Sequence, residues 1–446
     1  MSDVLDWTSA ATAKLSLARH AARADELAKR LAGEVAAGRL PFLSMPFWDK
    51  LKGELAALTP WLSGFEHMVL LGIGGSALGA RALQKAFFPA QDQPGHAGPW
   101  LWILDNVDAY GIEACLTNLP PDKTVVVTVS KSGDTIETLS EYFLVRQWLT
   151  EKLPKTWQQH LLLATDEAKG YLREEARQHG ARTLPVPDNL GGRYSVLSAV
   201  GLVPALFLGL NTDELVAGAT EIAAPLCAPK LSGGDLARHP SFELAAWGTA
   251  LMDAGFCELI FFSYIPLWAS FGDWFAQLWA ESLGKQGKGS QPLPAVGVTD
   301  QHSVNQMYLD GPRNKACLFL TCAGLPDGPA FPTGLPAIFS YLEGKRFGEL
   351  LSAEALGTRM ALAASGVPLI EIRLARDAER AAGKLIALLG EATILAGWLL
   401  DINPLDQTAV ESGKRLAKAR LGAEGLAAEK AELAAFLGSA RDERTF

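Results

Sequence analysis

Four hydroxyl side chains fall within nine residues, Ser130-Lys131-Ser132-Gly133-Asp134-Thr135-Ile136-Glu137-Thr138. Ser130, Ser132, Thr135 and Thr138 can each donate a hydrogen bond to a tetrahedral oxyanion. The β-branched run 124–129 just before them reads as a strand buried on both faces. Leu139, Tyr142, Phe143, Arg146 and Leu149 then recur at helical spacing. A strand, a hydroxyl-rich turn and a helix present free N–H groups and the positive end of a helix dipole to an anion. Capping the helix would use one or two hydroxyls. The surplus points to a phosphate-sized anion held mainly by neutral donors.

Glu281 is the most informative acid. Over 271–285, Phe271, Trp274, Phe275 and Leu278 define a buried helical face. At 100° per residue, Glu281 lies only about 20° around the helix from Trp274, and Gln277 sits one turn earlier on the same edge. Apolar packing there would desolvate the carboxylate and raise its pKa, which suits a general base near neutral pH. An ordinary i,i+4 pair with Lys285 fits the same spacing. Arg193, in Gly191-Gly192-Arg193-Tyr194-Ser195, could stabilise a developing negative charge; equally, Ser195 could cap a helix with Arg193 in solvent. Lys414 reads as a solvent-facing lysine. His302 follows a Pro/Gly-rich loop at an expected helix start, and the six other histidines are isolated. There is no HxxH or HxxxH pair, so no metal site is expected.

The elements that must position these groups alternate strand with helix. Strands are expected at 68–73, 101–104, 124–129, 160–165, 259–264, 316–321 and 368–374, and a helix over 195–208. The first strand ends in Gly72-Ile73-Gly74-Gly75-Ser76-Ala77-Leu78-Gly79, where missing Cβ atoms let a ligand approach the backbone. Its spacing departs from the dinucleotide fingerprint, and Asp105 lies too far on to hold a ribose, so a dinucleotide is the minor reading. The expected fold is α/β, with parallel sheets in two similar α/β/α layers. An N-terminal helical arm covers 1–50, a first domain 51–210 and a second 211–446 with C-terminal helices. Leu17, Ala21, Ala24, Ala28 and Leu31 share one face of the arm, the boundary loop falls at 228–240, and the charged tail 440–446 is expected to fray.

At 446 residues, 49% hydrophobic and 20% charged, the chain can bury more than one core. Its net charge of -9 argues against nucleic acid and anionic membrane as partners. The longest apolar run noted, 199–210, contains Pro204 and is too short to span a bilayer. The N-terminus has no apolar signal-peptide core. Five scattered cysteines without a CxxC pair suit a reducing, cytoplasmic setting.

Taken together, GIGGSALG at 72–79, SKSGDTIET at 130–138, GGRYSVLSAVGL at 191–202, ESLGK at 281–285, QHSVNQ at 301–306 and NPLDQTAVESGKRLAK at 403–418 resemble the phosphoglucose isomerase family. They occur in that family's order and spread over most of the chain. The resemblance implies two sugar-isomerase-type α/β/α sandwich domains and a homodimer. It also implies cofactor-free interconversion of glucose 6-phosphate and fructose 6-phosphate through a cis-enediolate. By the same likeness, Ser130, Ser132, Thr135 and Thr138 hold the substrate phosphate, and Gly75 and Ser76 contact the sugar. Glu281 moves a proton between C1 and C2 with Gln277 beside it, and Arg193 stabilises the enediolate. His302, contributed by the neighbouring subunit, and Lys414 assist ring opening, while Gln407 helps close the site. There are two departures from the family pattern. Asp134 stands where bacterial members usually have threonine, and is expected to turn away or pair with Lys131; QHSVNQ replaces the commoner LHSMGQ. The alternatives are an enzyme that also accepts mannose 6-phosphate and a non-catalytic sugar-phosphate-binding protein of the same fold.

Overall fold

The computed structural model describes residues 2–12, 15, 17–439 and 441–445. Ala440 and Phe446, the ends of the expected charged tail, lie outside the described residues, as do Ala13, Lys14 and Ser16 in the expected arm. The chain forms one compact unit ending at Pro404 and a second, small one beginning at Leu405. The small unit carries two helices, Glu411–Arg420 and Ala427–Gly438.

The large unit contains two five-stranded sheets. Ten strands build them: β1 Val4–Asp6, β2 His67–Leu71, β3 Trp100–Leu104, β4 Thr124–Val129, β5 Leu161–Thr165, β6 Arg182–Pro185, β7 Glu258–Ser263, β8 Gln291–Val296, β9 Lys315–Cys322 and β10 Leu369–Leu374. One sheet runs β3-β2-β4-β5-β6 and is parallel throughout. The other runs β1-β10-β9-β7-β8, parallel except for β1, which pairs antiparallel with β10. The parallel part of each sheet follows one rule: its first strand is central, its second lies to one side, and the later ones are added on the other. Chain order therefore reverses direction between β2 and β4, and again between β7 and β9. In open α/β sheets, the crevice beyond the strand C-termini at such a reversal is where ligands bind.

Every residue of β4 is buried, as a strand covered by helices on both faces requires. The helix Ile136–Lys152 follows it, but its inner face is rotated from the one the sequence suggested. Thr138, Glu141, Tyr142, Val145, Trp148 and Leu149 are buried, while Phe143 is 46% exposed. Tyr142, Val145 and Leu149 pack with Val69, Val126, Leu161 and Leu163 in one core cluster. The N-terminal arm is more varied than a single helix. Beyond β1 it contains short Leu17–Ala21 and longer Ala24–Ala36 helices, and Ala24, Leu27, Ala28 and Leu31 form the latter's buried face. Ala21, expected on that face, is exposed. The segment expected as a boundary loop contains the short helix Gly233–Ala237. The helix expected over 195–208 spans Ala199–Phe207, its start set by Ser198, whose hydroxyl accepts the Val200 N–H.

The helix Glu379–Leu399 is long and apolar enough to cross a membrane by length and composition, but 94% of its apolar window is buried within the protein. It is the central core helix of the large unit. Fully buried Glu391 interrupts it, taking a 2.7 Å hydrogen bond from the Ser241 hydroxyl to Oε2 while Oε1 has no partner. Burial pushes this carboxyl up to about 8, against the weaker opposing pull of the Ser241 bond. The folded state thus keeps a proton that the unfolded chain releases above its ordinary value of 4.5, and stability falls as pH rises from there towards 8. Glu391→Gln retains an acceptor for Ser241 without the ionisation. It is expected to be more stable than the parent by about 1–3 kcal/mol at pH 8 and to lose that advantage at pH 4.5. Urea unfolding at the two pH values checks this; an equal difference at both would refute it.

Candidate active site

The Ser/Thr turn leaves β4 and the glycine loop leaves β2. These strands are adjacent, with Leu71 opposite Thr128, so both loops flank the chain reversal in the first sheet. Within the turn, Ser130 is 2% exposed and its Oγ lies 3.0 Å from Thr135 Oγ1. Ser132 Oγ accepts the Asp134 N–H at 3.2 Å. Thr138 is 1% exposed and its Oγ1 has no hydrogen-bond partner. Thr135 occupies the N-cap of the helix Ile136–Lys152, yet its side chain makes no capping bond. These hydroxyls are gathered at the positive end of a helix without being consumed by capping, which is the geometry of an oxyanion cradle.

Asp134 does not pair with Lys131. Its Oδ1 accepts the Tyr171 N–H at 3.3 Å, at the start of the helix Tyr171–His179. The carboxylate is thereby engaged by a neighbouring helix N-terminus, where negative charge is favoured. Lys131 instead donates to the Asp188 carbonyl at 2.8 Å. Partial burial pushes its ammonium below the ordinary value; the charge of Asp188 opposes that shift and the charge of Arg193 adds to it.

The glycine loop touches the elements that carry Gln277 and Arg193. A Cβ on Gly74 would stand 2.9 Å from Gln277 Nε2, and one on Gly75 would collide with the backbone of Gly192. Only glycine at position 75 allows the loop after β2 to rest on the turn that carries Arg193. Ser195 Oγ spans the same junction, reaching the carbonyls of Gly192 at 2.7 Å and Gly75 at 3.3 Å. Ser76 is half-buried in the short turn Gly74–Ser76.

Glu281 lies near the end of the helix Ser270–Leu283 with its side chain 32% exposed. Oε2 accepts from Arg193 Nη1 at 3.1 Å and Oε1 accepts from Gln277 Nε2 at 2.9 Å. Its surroundings thus differ from the apolar setting expected of it: the carboxylate is partly open and faces a guanidinium. Lys285, the local partner suggested by spacing, reaches the Asn403 carbonyl instead. Arg193 is 1% exposed, not in solvent. It also donates from Nε to Ser282 Oγ at 2.8 Å and from Nη2 to the Pro404 carbonyl at 2.7 Å. Gln277 Oε1 is buried without a partner. Spacing gave no sign of the roles of Ser282, Tyr194 or Pro404, because their contacts with Arg193 depend on the three-dimensional fold.

His302 ends the short turn Thr299–His302 after β8 and is exposed. In the small unit, Gln407 precedes the turn Thr408–Val410, and Lys414 pairs with Glu411 at 3.0 Å with its side chain 49% exposed. Asp105 is held by Arg81 at 2.8 Å. Among the described residues, no group of three or more His, Cys, Asp or Glu could hold a metal ion.

A carboxylate beside a buried cation, a glycine loop touching both of their elements and a hydroxyl cradle on the adjacent strand form an arrangement suited to proton transfer on a small phosphorylated molecule. The family model for phosphoglucose isomerase matches residues 61–288. The glucose-6-phosphate isomerase of Rubrobacter xylanophilus is 39% identical over 371 residues, covering 81% of this chain and 84% of the relative. A crystal structure of a hypothetical protein from Thermus thermophilus superposes with a TM-score of 0.83 at 32% identity, covering 94% of this chain and all of that one. A glucose-6-phosphate isomerase structure from Chlamydia trachomatis shares the fold at a TM-score of 0.69 and 23% identity, covering 86% of this chain and 76% of that one.

The contact between Asp134 and the helix beginning at Tyr171 has a measurable consequence. Asp134→Ala is expected to lower stability by about 1 kcal/mol through loss of that contact, while affinity for inorganic phosphate stays within about threefold. Denaturant unfolding and phosphate titration test both parts. A tenfold gain in phosphate affinity would mean that the carboxylate faces the cradle.

Proposed function

The chain belongs to the phosphoglucose isomerase family, and from that membership we infer that the cluster around Arg193 and Glu281 is the active centre. The protein is an aldose–ketose isomerase of carbohydrate metabolism, interconverting D-glucose 6-phosphate and D-fructose 6-phosphate. The observation that carries the assignment of the site is the pairing of buried Arg193 with partly open Glu281 at 3.1 Å.

In this reading, Ser130, Ser132, Thr135 and Thr138 bind the substrate phosphate. That remote binding energy positions C1 and C2 over Glu281. The sugar first opens, which requires a proton on the ring oxygen and removal of one from the C1 hydroxyl. Glu281 then takes the C2 proton and returns it at C1, so a single base serves both carbons. Arg193 faces the cis-enediolate formed between these steps and stabilises its charge without reorganising. Gln277 fixes one carboxylate oxygen, and its unpartnered Oε1 offers an acceptor to a sugar hydroxyl. Gly75 and Ser76 line the approach of the sugar. No cofactor enters the scheme.

Ring opening is assigned to His302 and Lys414, and closure of the site to Gln407. For Lys414 and Gln407 the assignment rests on the family motif alone. The working unit is a homodimer, with His302 donated across the interface. His302 is exposed within its own chain, and Val304 and Met307, 42% and 55% exposed, add nearby apolar surface that a second copy would cover. The scattered free cysteines support a cytoplasmic setting.

Glu281→Gln is expected to lower kcat by about a thousandfold or more while substrate still binds. A coupled assay with fructose 6-phosphate measures this, and turnover near the parental rate would rule out the base. The double change Thr135→Val with Thr138→Val is expected to act mainly on KM, raising it about tenfold; an unaltered KM would disprove the cradle. Shared sites predict complementation. Glu281→Gln and His302→Ala homodimers should each be inactive, and their mixture after subunit exchange should recover activity, because one site per heterodimer has both groups. Failure of a verified heterodimer to recover activity would exclude donation in trans.

A further inference from the structure

Ser282 follows Glu281 directly and has no solvent exposure. Serine in a helix commonly bonds back to the preceding turn. Here its Oγ receives the Arg193 Nε–H at 2.8 Å and lies 2.9 Å from the Tyr194 hydroxyl. The Tyr194 ring is itself held by Phe42, stacked with centroids 4.7 Å apart and planes 21° from parallel. Phe42 sits in the short turn Pro41–Leu43, just ahead of the helix Met45–Leu62. From that helix, Trp48 Nε1 donates to the Leu197 carbonyl at 3.1 Å. Trp274, two turns before Ser282, donates to the Arg193 carbonyl at 3.3 Å. The arginine is therefore anchored through both its backbone and its side chain.

A guanidinium is planar, and donors pointing to separate acceptors determine its orientation. Three such acceptors are Glu281 Oε2, Ser282 Oγ and the Pro404 carbonyl. Glu281 is the one expected to exchange protons during turnover, so its hold on the cation varies through the cycle. Ser282 and Pro404 are neutral and keep their hold throughout. We propose that Ser282, supported by Tyr194, is a positioning residue that keeps the Arg193 guanidinium directed at Glu281. One helix turn then carries both the base and the hydroxyl that aims the cation at it. This rests on the assignment of Glu281 as base and Arg193 as charge stabiliser.

Removing the hydroxyl leaves a buried cationic N–H without its acceptor, so the guanidinium must tilt to find another. Arg193 and Tyr194 are the charged and titratable groups facing Glu281 from the turn after β6. On its own side of the site, Gln277 is neutral and Lys285 is engaged with the Asn403 carbonyl. Tilting Arg193 away withdraws positive charge from the carboxylate, which favours its protonated form. A base that must be ionised then loses activity at a higher pH.

Ser282→Ala and Tyr194→Phe are compared with the parent for kcat, KM and the pH profile of kcat/KM, with native unfolding transitions checked for each. Ser282→Ala is expected to lower kcat about 10–100-fold with KM changed less than about threefold. Its acid limb should move upward by about half a pH unit or more. Tyr194→Phe keeps the ring and the serine, and is expected to move the limb the same way by less. An unmoved limb in folded Ser282→Ala overturns the positioning role. If Ser282→Ala does not fold, an unmoved limb in Tyr194→Phe overturns it. Glu281→Gln, assayed alongside, separates the two claims: parental turnover there overturns the base assignment and this proposal with it. Loss of turnover there with an unmoved limb in folded Ser282→Ala removes the positioning role alone.

Discussion

A guanidinium taken almost wholly out of water is costly unless its charge and its N–H groups are met by the protein. Arg193 is 1% exposed, and satisfying it determines which parts of the large unit must converge. A carboxylate and a hydroxyl come from adjacent residues of one helix, and a carbonyl comes from Pro404. The turn bearing the arginine must in turn touch the loop after β2, which is possible because Gly75 and Gly192 meet backbone to backbone. If Ser282 or Pro404 is misplaced, a buried N–H loses that acceptor. The requirement therefore selects one arrangement of the loop after β6 against the helix Ser270–Leu283, although 88 residues separate Arg193 from Glu281.

Parallel sheets make such convergence straightforward. All strands of the first sheet point the same way, so their C-terminal loops gather along one edge. Chain order reverses between β2 and β4, and in open α/β sheets ligands bind beyond the strand C-termini at such a reversal. The glycine loop and the hydroxyl turn leave the two strands that flank this reversal. The second sheet repeats the strand pattern, but it contributes to the cluster through the helix that follows β7 rather than through a loop at its own reversal. In the proposed site, similar architecture thus serves two ends: one half offers the anion cradle, the other the base.

What could be read from the chain beforehand divides along physical lines. Central strands carry unbroken apolar runs because both faces are covered, and β4, β5, β7, β9 and β10 were all visible for that reason. The three strands missed, β1, β6 and β8, are all edge strands. β8 reads Gln-Pro-Leu-Pro-Ala-Val, and its prolines would break a ladder with neighbours on both sides; on an edge they do no such harm. β1 and β6 are three and four residues long, too short for alternation to register. The hydroxyl turn was legible because its members are consecutive. The inner face of the following helix was less so, since Thr138 and Glu141 are buried polar residues that an apolar pattern excludes. The partner of Glu281 was not legible at all. Spacing offers only the local candidate Lys285, whereas the group that faces the acid arrives from a distant loop.

The same contrast explains how a chain of net charge -9 can accommodate an anionic substrate. A cradle of lysines would answer the global field directly, yet ammonium groups crowded near Arg193 would repel it and one another. Lys131, partly buried and within the field of Arg193, already feels that cost. Hydroxyls and a helix N-terminus supply donors without adding net charge, so the cradle can sit beside the arginine without competing with it for Glu281. Asp134, the one acid before the helix in that turn, becomes tolerable for the complementary reason: the Tyr171 N–H, at the start of the helix Tyr171–His179, donates to its carboxylate. On the proposed reading, Arg193 meets the charge of the enediolate and the phosphate is left mainly to neutral groups.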